Sequence, residues 1–518
     1  MKRVTVTGIV LTLTLILSAA MPVSATPADS SWEPPVALGA GAYYEALYAA
    51  DVDGDGLDEI LAGNWATNRV EVWDYDTSTS LWSMASYIQQ PYSIRGISTG
   101  DYDEDGDIDI ATAIRSYGVY VTFNENSGWS VPVGLSSEYG WHVTTCDLNN
   151  DGHLDILAAQ LMHERIYYGD GTGSFVMDHN PIGLDDGVPT PDLYSKGFLS
   201  PVDLDNDGDL DLAGTWFQGG WWYYPDDRMD YFLRGFINKG NDGAGKVIWG
   251  VSASEVLGFL TGYADWRGYS GNILMTSSGY STGDVNEDGY IDIVAKNLNA
   301  KTLVVSLGYL DGTGKLGWTT TTVDTVPDVI LGDAHDYPSR SNIRLIDINK
   351  DCHLDIICSG YNQYDGLTIY YGDGSGTFIK SDMPLDYGLN SDGAGSAVGD
   401  FNGDGTLDMA LPRYTTYDDG FEVWLQIPIP KDPETLIQNL VSDIGDMELP
   451  QGIENSLVSK LANALKSLDK GNDGAAINQI NAFINQVEAQ SGKKIPEEIA
   501  GEWINKAHSI IEAILEAE

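Results

Sequence analysis

Twenty-eight oxygen-bearing side chains recur in one spacing along this chain. A nine-residue acidic loop, Asp-x-Asp/Asn-x-Asp-Gly-x-x-Asp, is repeated seven times, with an oxygen ligand at positions 1, 3, 5 and 9 of each copy. The four positions are Asp51, Asp53, Asp55 and Glu59 in the first copy, Asp101, Asp103, Asp105 and Asp109 in the second, and Asp147, Asn149, Asp151 and Asp155 in the third. They are Asp203, Asp205, Asp207 and Asp211 in the fourth, Asp284, Asn286, Asp288 and Asp292 in the fifth, Asp347, Asn349, Asp351 and Asp355 in the sixth, and Asp400, Asn402, Asp404 and Asp408 in the seventh. Carboxylates and amides around a tight turn form a cage for a hard cation. Calcium suits it, up to seven ions, one per loop. Magnesium demands a tighter octahedron, and zinc or copper wants His or Cys, which stand at none of the four positions.

The first half of the pattern is shared with the EF-hand, which needs a bidentate Glu at position 12 and flanking helices. Position 12 here is Ala62, Thr112, Ala158, Gly214, Ala295, Cys358 and Leu411, none of which replaces that carboxylate. Each loop runs instead into a short apolar stretch such as Ile60-Leu-Ala62 or Ile356-Ile-Cys358, which reads as an inner strand. The loop therefore joins strand to strand. Two copies depart from the pattern: Glu59 stands at position 9 of the first, and Cys352 replaces the glycine of the sixth. If that turn needs a positive φ, the sixth loop is strained or reshaped.

The elements that must position these loops follow from the period. A strand enters each loop, an apolar strand leaves it, and a third follows, as in Val70–Trp73, Val119–Val121 and Phe421–Trp424. Asp-Gly turns near 169–175, 310–316 and 372–378 then signal a hairpin to a fourth strand. Four antiparallel strands repeated radially predict an all-β seven-bladed β-propeller over residues 26–428, followed by a small C-terminal α-helical bundle. The last blade lacks a fourth strand of its own. Trp32-Glu-Pro-Pro-Val-Ala-Leu38 resembles Trp129-Ser-Val-Pro-Val-Gly-Leu135, so residues 32–38 are expected to complete it and close the ring.

These loops and strands resemble the FG-GAP/VCBS repeats of integrin α-subunit propellers and of many secreted microbial proteins. The resemblance covers roughly residues 32–428. It implies calcium held between the first and second strands of each blade by positions 1, 3, 5 and 9 and a carbonyl at position 7, and it implies binding or adhesion more often than catalysis.

Residues 1–25 read as a secretory signal: Lys2 and Arg3, an apolar stretch from Val4 to Leu17, and Val23-Ser-Ala25 before the cleavage point. No later stretch is long and apolar enough for a transmembrane segment, so a secreted or cell-surface protein is expected. The chain has 27 Lys and Arg against 77 Asp and Glu, a net charge of −50, and 29 of the acidic residues lie inside the loops. That excess argues against nucleic acid and anionic membranes as partners, both of which need a basic face. Three cysteines make no disulfide framework.

Beyond residue 428 the pattern changes. A Pro-rich linker and short helix occupy 429–450, and 451–518 carries three helical stripes: Leu457, Leu461, Leu465 and Leu468; Ile480, Phe483 and Val487; and Ile499, Trp503, Ala507, Ile510 and Ile514. Gly471-Asn-Asp-Gly-Ala-Ala476 and Asn481-Ala-Phe-Ile-Asn-Gln-Val487 resemble the FIMAH-type module of secreted bacterial and archaeal proteins. Docking or surface attachment through this bundle is the expected role.

The interval between the fourth and fifth loops is the longest, and the insertion at about 225–280 is rich in aromatics. Trp221–Tyr224 falls where a third strand belongs. Arg234, Trp249, Trp266 and Arg267 are the candidate ligand-binding residues, since rigid scaffolds commonly carry function on inserted loops. Gly96-Ile-Ser-Thr-Gly100 and Gly279-Tyr-Ser-Thr-Gly283 imitate a nucleophile elbow, but each precedes a calcium loop and enters no helix. The sequence thus points to a calcium-dependent binding or adhesion module for an extracellular protein or glycan. A calcium-dependent, polysaccharide-active lyase is the alternative; it would need a basic residue converging on acidic groups, and the seven scattered histidines announce none.

Overall fold

The computed structural model describes residues 31–125, 128–160, 163–178, 193–218, 230–249, 257–259, 280–297, 302–310, 316–325, 343–359, 367–381, 396–413, 420–427, 433–447, 449–468 and 470–516. Residues 1–25, which read as a secretory signal in the sequence, lie outside them. The chain divides into two compact units at Ile427/Pro428.

The first unit is a seven-bladed β-propeller of four-stranded antiparallel sheets. Blade 1 runs Tyr44–Ala50, Glu59–Asn64, Arg69–Asp76 and Leu81–Gln89, and the sheets that follow repeat that order. In blades 1 to 3 every residue of the second strand is buried, namely Glu59–Asn64, Asp109–Ile114 and Asp155–Gln160. Both faces of that strand are covered by neighbouring blades, so its sequence runs continuously apolar instead of alternating.

The hydrophobic cores lie between blades. One cluster joins Leu61 and Val70 of blade 1 to Ile97 and Ile110 of blade 2, another joins Ala111 and Val121 of blade 2 to Val143 and Ile156 of blade 3, and similar clusters fill the remaining junctions. Each fully buried aliphatic side chain of this kind contributes about 1.5–3 kcal/mol. The seventh junction closes the ring, packing Tyr44, Leu47 and Ile60 of blade 1 against Ala397, Phe401 and Phe421 of blade 7.

Closure is also made through the backbone. Val36–Leu38 pairs with Phe421–Trp424 as the outermost strand of blade 7, and Ser31–Trp32 pairs with Gln426–Ile427. The start of the propeller thus supplies the strand that its end lacks, as the Trp32–Leu38 similarity predicted. A polar latch is added where the other loops carry Ile or Leu: Asp58, at position 8 of loop 1, accepts from Asp400 N at 3.1 Å, and its own N–H donates to Asp400 O at 3.2 Å.

Blade 4 departs from expectation. Its third strand is Asp230–Phe236 and its fourth is Leu257–Phe259, while Trp221–Tyr224, where the period places a third strand, lie outside the described residues. Between them the hairpin Asn238–Asn241 with Val247–Trp249 repeats an arm that blade 2 already has, Asn124–Glu125 with Gly128–Trp129. Trp249 faces Asn238 as Trp129 faces Asn124.

The second unit holds four helices: α1 (Pro433–Asp446), α2 (Gln451–Leu468), α3 (Asp473–Gln490) and α4 (Glu497–Glu516). Leu457, Leu461, Ile480, Phe483, Val487, Trp503, Ala507 and Ile510 build its core. Ile437, Leu440 and Ile444 of α1 lie in the same core, so the module has four helices where the periodicity suggested a bundle of three after a linker helix. Asn472 caps α3 by accepting from Ala475 N at 3.1 Å, so Asn-Asp-Gly here starts a helix. Among the described residues no helix is long and apolar enough to cross a membrane.

Candidate metal centres

Each acidic loop is built by its own carboxylates before any ion is considered. The position 1 carboxylate accepts the position 6 N–H at 2.8–3.0 Å in all seven copies, Cys352 included. The position 5 carboxylate accepts the position 7 N–H at 2.8–3.0 Å, again in all seven. These bonds satisfy N–H groups that a tight turn would otherwise leave unpaired. Position 6 has φ between +83° and +97° in the six glycine copies and +75° at Cys352, so loop 6 keeps the common geometry with a side chain in a region that favours glycine.

Position 9 is different. In loops 2 to 7 its Asp is fully buried, and both oxygens are used. One accepts the position 2 N–H at 2.8–3.0 Å. The other accepts an N–H within two residues of the end of the third strand, at 2.7–3.0 Å: Asn124, Gly169, Asn238, Gly308, Gly372 and Gln426 in turn. Asp109, Asp155, Asp211, Asp292, Asp355 and Asp408 are therefore clamps between loop and blade as well as candidate ligands. In loop 1, Glu59 keeps the first bond, to Val52 N at 2.8 Å, while its buried Oε1 has no partner.

Burial pushes Asp109, Asp155, Asp211, Asp355 and Asp408 up to about 7, Asp292 to about 6 and Glu59 to about 8, against the opposing pull of the backbone N–H bonds. Neighbouring loop carboxylates add to the rise. A divalent cation reverses this by offsetting the repulsion.

The loops fall into two classes. Where position 3 is Asp, the carboxylates of positions 1, 3 and 9 converge with ligand atoms within 4.8 Å of one another: Asp51, Asp53 and Glu59; Asp101, Asp103 and Asp109; Asp203, Asp205 and Asp211. Asp103 Oδ1 and Asp205 Oδ1 are buried without a hydrogen-bond partner, as is Glu59 Oε1. Buried carboxylate oxygens left unpaired are costly unless a cation takes them, so these three sites fit a hard, oxygen-seeking ion. Where position 3 is Asn, in loops 3, 5, 6 and 7, its amide donates to the position 5 carboxylate at 2.9–3.0 Å and leaves less uncompensated charge. Position 5 does not belong to the converging carboxylate trios.

The spacing gave no hint of position 4, which in four of the seven copies ties one loop to the next. It adopts positive φ in every copy, from +55° to +77°, although only Gly54 and Gly403 are glycines. In four copies its side chain reaches the following blade: Glu104 meets His153 Nδ1 at 2.5 Å, Glu287 meets His353 Nδ1 at 2.5 Å, Asn206 donates to Gly289 O at 3.0 Å, and Lys350 donates to Gly405 O. His153 is raised by its Glu104 bond.

The candidate ligand platform of the insertion fares less well. Trp249 is 6% exposed and packs with Leu148, Leu157, Ile166 and Phe236, so its ring is unavailable for stacking. The repeated Asn124/Trp129 arm was the signal in the sequence that marks it as a blade element. The backbone of Arg234 pairs with Gly214 and Gly258 in blade 4, its side chain lies outside the described residues, and so do Trp266 and Arg267. Ser98, the serine of one elbow-like string, is held by Thr145 at 2.7 Å between hydroxyls within the propeller interior.

Residues 51–112, 101–158, 147–214 and 347–411 match the FG-GAP-like repeat, and residues 436–512 match the FIMAH domain. The chain carries FG-GAP-like repeats and a FIMAH domain. The FG-GAP propeller is seven-bladed, and loop 5, outside the matched segments, has the same internal bonds as its neighbours. The chain is similar to the T-cell immunomodulatory protein homologs of Plasmodium falciparum (isolate 3D7), 25% identical over 228 residues, and Plasmodium yoelii yoelii, 26% identical over 222 residues. Each match covers 41% of this chain, and the chain spans about 29–30% of the length of those relatives. Among solved structures, an Agrocybe aegerita lectin described as recognising non-reducing terminal N-acetylglucosamine aligns with a TM-score of 0.40 at 15% identity, covering 77% of this chain and 93% of the lectin. A protein from Lactobacillus plantarum aligns with a TM-score of 0.35 at 12% identity, covering 73% and 94%.

Proposed function

We propose that this FG-GAP propeller is an exported, calcium-stabilised binding module that engages an extracellular protein or carbohydrate, with the FIMAH domain serving docking or surface attachment. The observation that carries the reading is the dual use of position 9. Six buried aspartates each hold a loop N–H and the end of a third strand while facing the ion site, so calcium there pins blade geometry and does not line an open cleft. Ions committed to the scaffold leave recognition to other surfaces.

The test is a screen of the purified protein on glycan and matrix-protein arrays, with calcium and with EDTA. Retention of a ligand that weakens as EDTA unfolds the blades supports a scaffold role for calcium. Release of unsaturated oligosaccharides from any polysaccharide would overturn the reading in favour of a lyase.

A further inference from the structure

The two ends of blades 1 to 3 differ in chemistry. Calcium loops connect first to second strands, so the loops joining second to third strands, and one blade to the next, emerge at the opposite end. Residues 31–178 contain four basic residues other than histidine, Arg69, Arg95, Arg115 and Arg165, and antiparallel topology puts all four at that opposite end. In a chain of net charge −50 this is a marked segregation.

Three of the arginines are engaged. Arg95 pairs with Glu45 at 3.1 Å and lies over the Trp141 ring at 4.9 Å, and Arg165 binds Glu138 at 3.0 Å. Arg69 stacks on Tyr87 at 4.0 Å. Arg115, half-buried, has no acidic partner among the described residues.

The same end carries exposed aromatic rings. Trp65 is 38% exposed and meets Tyr43 edge-on at 6.2 Å; Tyr92 and Tyr117, 41% and 45% exposed, lie 5.6 Å apart. Their loops are fixed by the backbone: Trp65 N donates to Tyr43 O at 2.8 Å and Arg115 N to Ser93 O at 2.9 Å. The rings are thus presented on a rigid frame, which lowers the entropic cost of binding.

We propose that this end of blades 1 to 3 binds a carboxylate-bearing carbohydrate chain, with Trp65, Tyr92 and Tyr117 stacking on sugar faces and Arg115 pairing with a uronate. The proposal rests on the binding-module reading and names its ligand class. Exposed rings suit the apolar faces of pyranoses, and a guanidinium with no acidic partner among the described residues offers the forked donors that a carboxylate accepts. Charge complementarity selects an acidic sugar at this end, where an otherwise anionic surface would reject one.

The test is isothermal titration calorimetry of the full mature chain at fixed calcium with a hyaluronan-derived tetrasaccharide and its carboxyl-reduced counterpart. Short soluble probes avoid calcium bridging between polyanions. The uronate form is expected to bind at least tenfold more tightly than the reduced form. Arg115→Gln should abolish that preference while keeping the weaker affinity; Trp65→Ala and Tyr117→Ala should weaken both probes about tenfold, and Trp65→Phe should restore most of the loss. Unchanged melting temperatures separate these effects from misfolding. Equal binding of the two probes, or full affinity in the aromatic variants, overturns the proposal. Retention of a protein but of neither sugar on the arrays also overturns it, yet leaves the broader reading standing, whereas turnover of the probe sinks both.

Discussion

Removing a position 9 carboxylate should damage the fold even without calcium. In blade 2, Asp109 accepts from Tyr102 N at 3.0 Å and from Asn124 N at 2.8 Å, and its residue is fully buried. Asp109→Ala leaves both N–H groups in a dry site. Each buried unsatisfied group costs about 1–3 kcal/mol, which gives about 2–6 kcal/mol for the pair. Asp105, at position 5, is exposed and accepts from Asp107 N at 3.0 Å near water. Asp105→Ala should therefore cost less than about 1 kcal/mol in EDTA, because solvent replaces the lost acceptor.

With saturating calcium each variant should fall a further step behind the unaltered protein, since both lose a candidate ligand and with it the linkage stabilisation of that site, about 2.7 kcal/mol at a hundredfold excess over Kd, while the gap between the two variants persists. The assay is urea unfolding in EDTA and in calcium, with hydrogen exchange read at the Tyr102 and Asn124 amides. Faster exchange at those two amides in metal-free Asp109→Ala, but not in Asp105→Ala, is expected. Equal and small effects of both variants in EDTA would refute the clamp.

Three further outcomes follow from the same geometry. The position 9 groups have folded pKa values of about 6 to 8, above the ordinary carboxylate range, so the folded state holds more protons than the unfolded state between about pH 4 and their own pKa, and metal-free stability must fall as pH rises through that window; melting in EDTA should be higher near pH 5 than near pH 8, and calcium should raise it most at the alkaline end, where protons no longer compete. Cys352→Gly relieves a side chain held at φ +75°, which costs about 1–2 kcal/mol, against about 0.4–1 kcal/mol of added chain entropy when unfolded; a net gain below about 1.5 kcal/mol by urea unfolding is expected, and a loss would mean that the thiol contributes to loop 6. Deleting residues 26–38 removes the outermost strand of blade 7, so the whole propeller should melt lower and Phe421–Trp424 amides should exchange faster; unchanged melting would show that the ring does not depend on that strand.

Much of the fold was legible in the chain because the repeat is local. Nine residues contain the donors and acceptors that shape each loop, and the apolar run after it is covered on both faces wherever a blade is flanked by two others. The ring-completing strand was legible because Trp32–Leu38 copies a strand seen intact elsewhere. Blade 4 is hard to read locally because the aromatic density at 221–224 resembles the third strand that Asp230–Phe236 supplies, and the hairpin carrying Trp249 resembles an insertion although it repeats the arm of blade 2.

The sequence by itself determined the seven acidic loops, the oxygen-donor spacing that suits a hard cation, the four-strand period and the change to helices after residue 428. Tertiary structure alone decided which oxygens remain for an ion once the backbone has taken its share, leaving Glu59, Asp103 and Asp205 with orphaned atoms. It also decided that position 4 of four loops reaches the next blade and that the arginines of blades 1 to 3 gather at one end. The physical reason is distance along the chain. Bonds within a loop span two to seven residues, whereas Glu104 meets His153 across 49 residues and Asp58 meets Asp400 across 342, separations that ring closure brings together and no local pattern encodes.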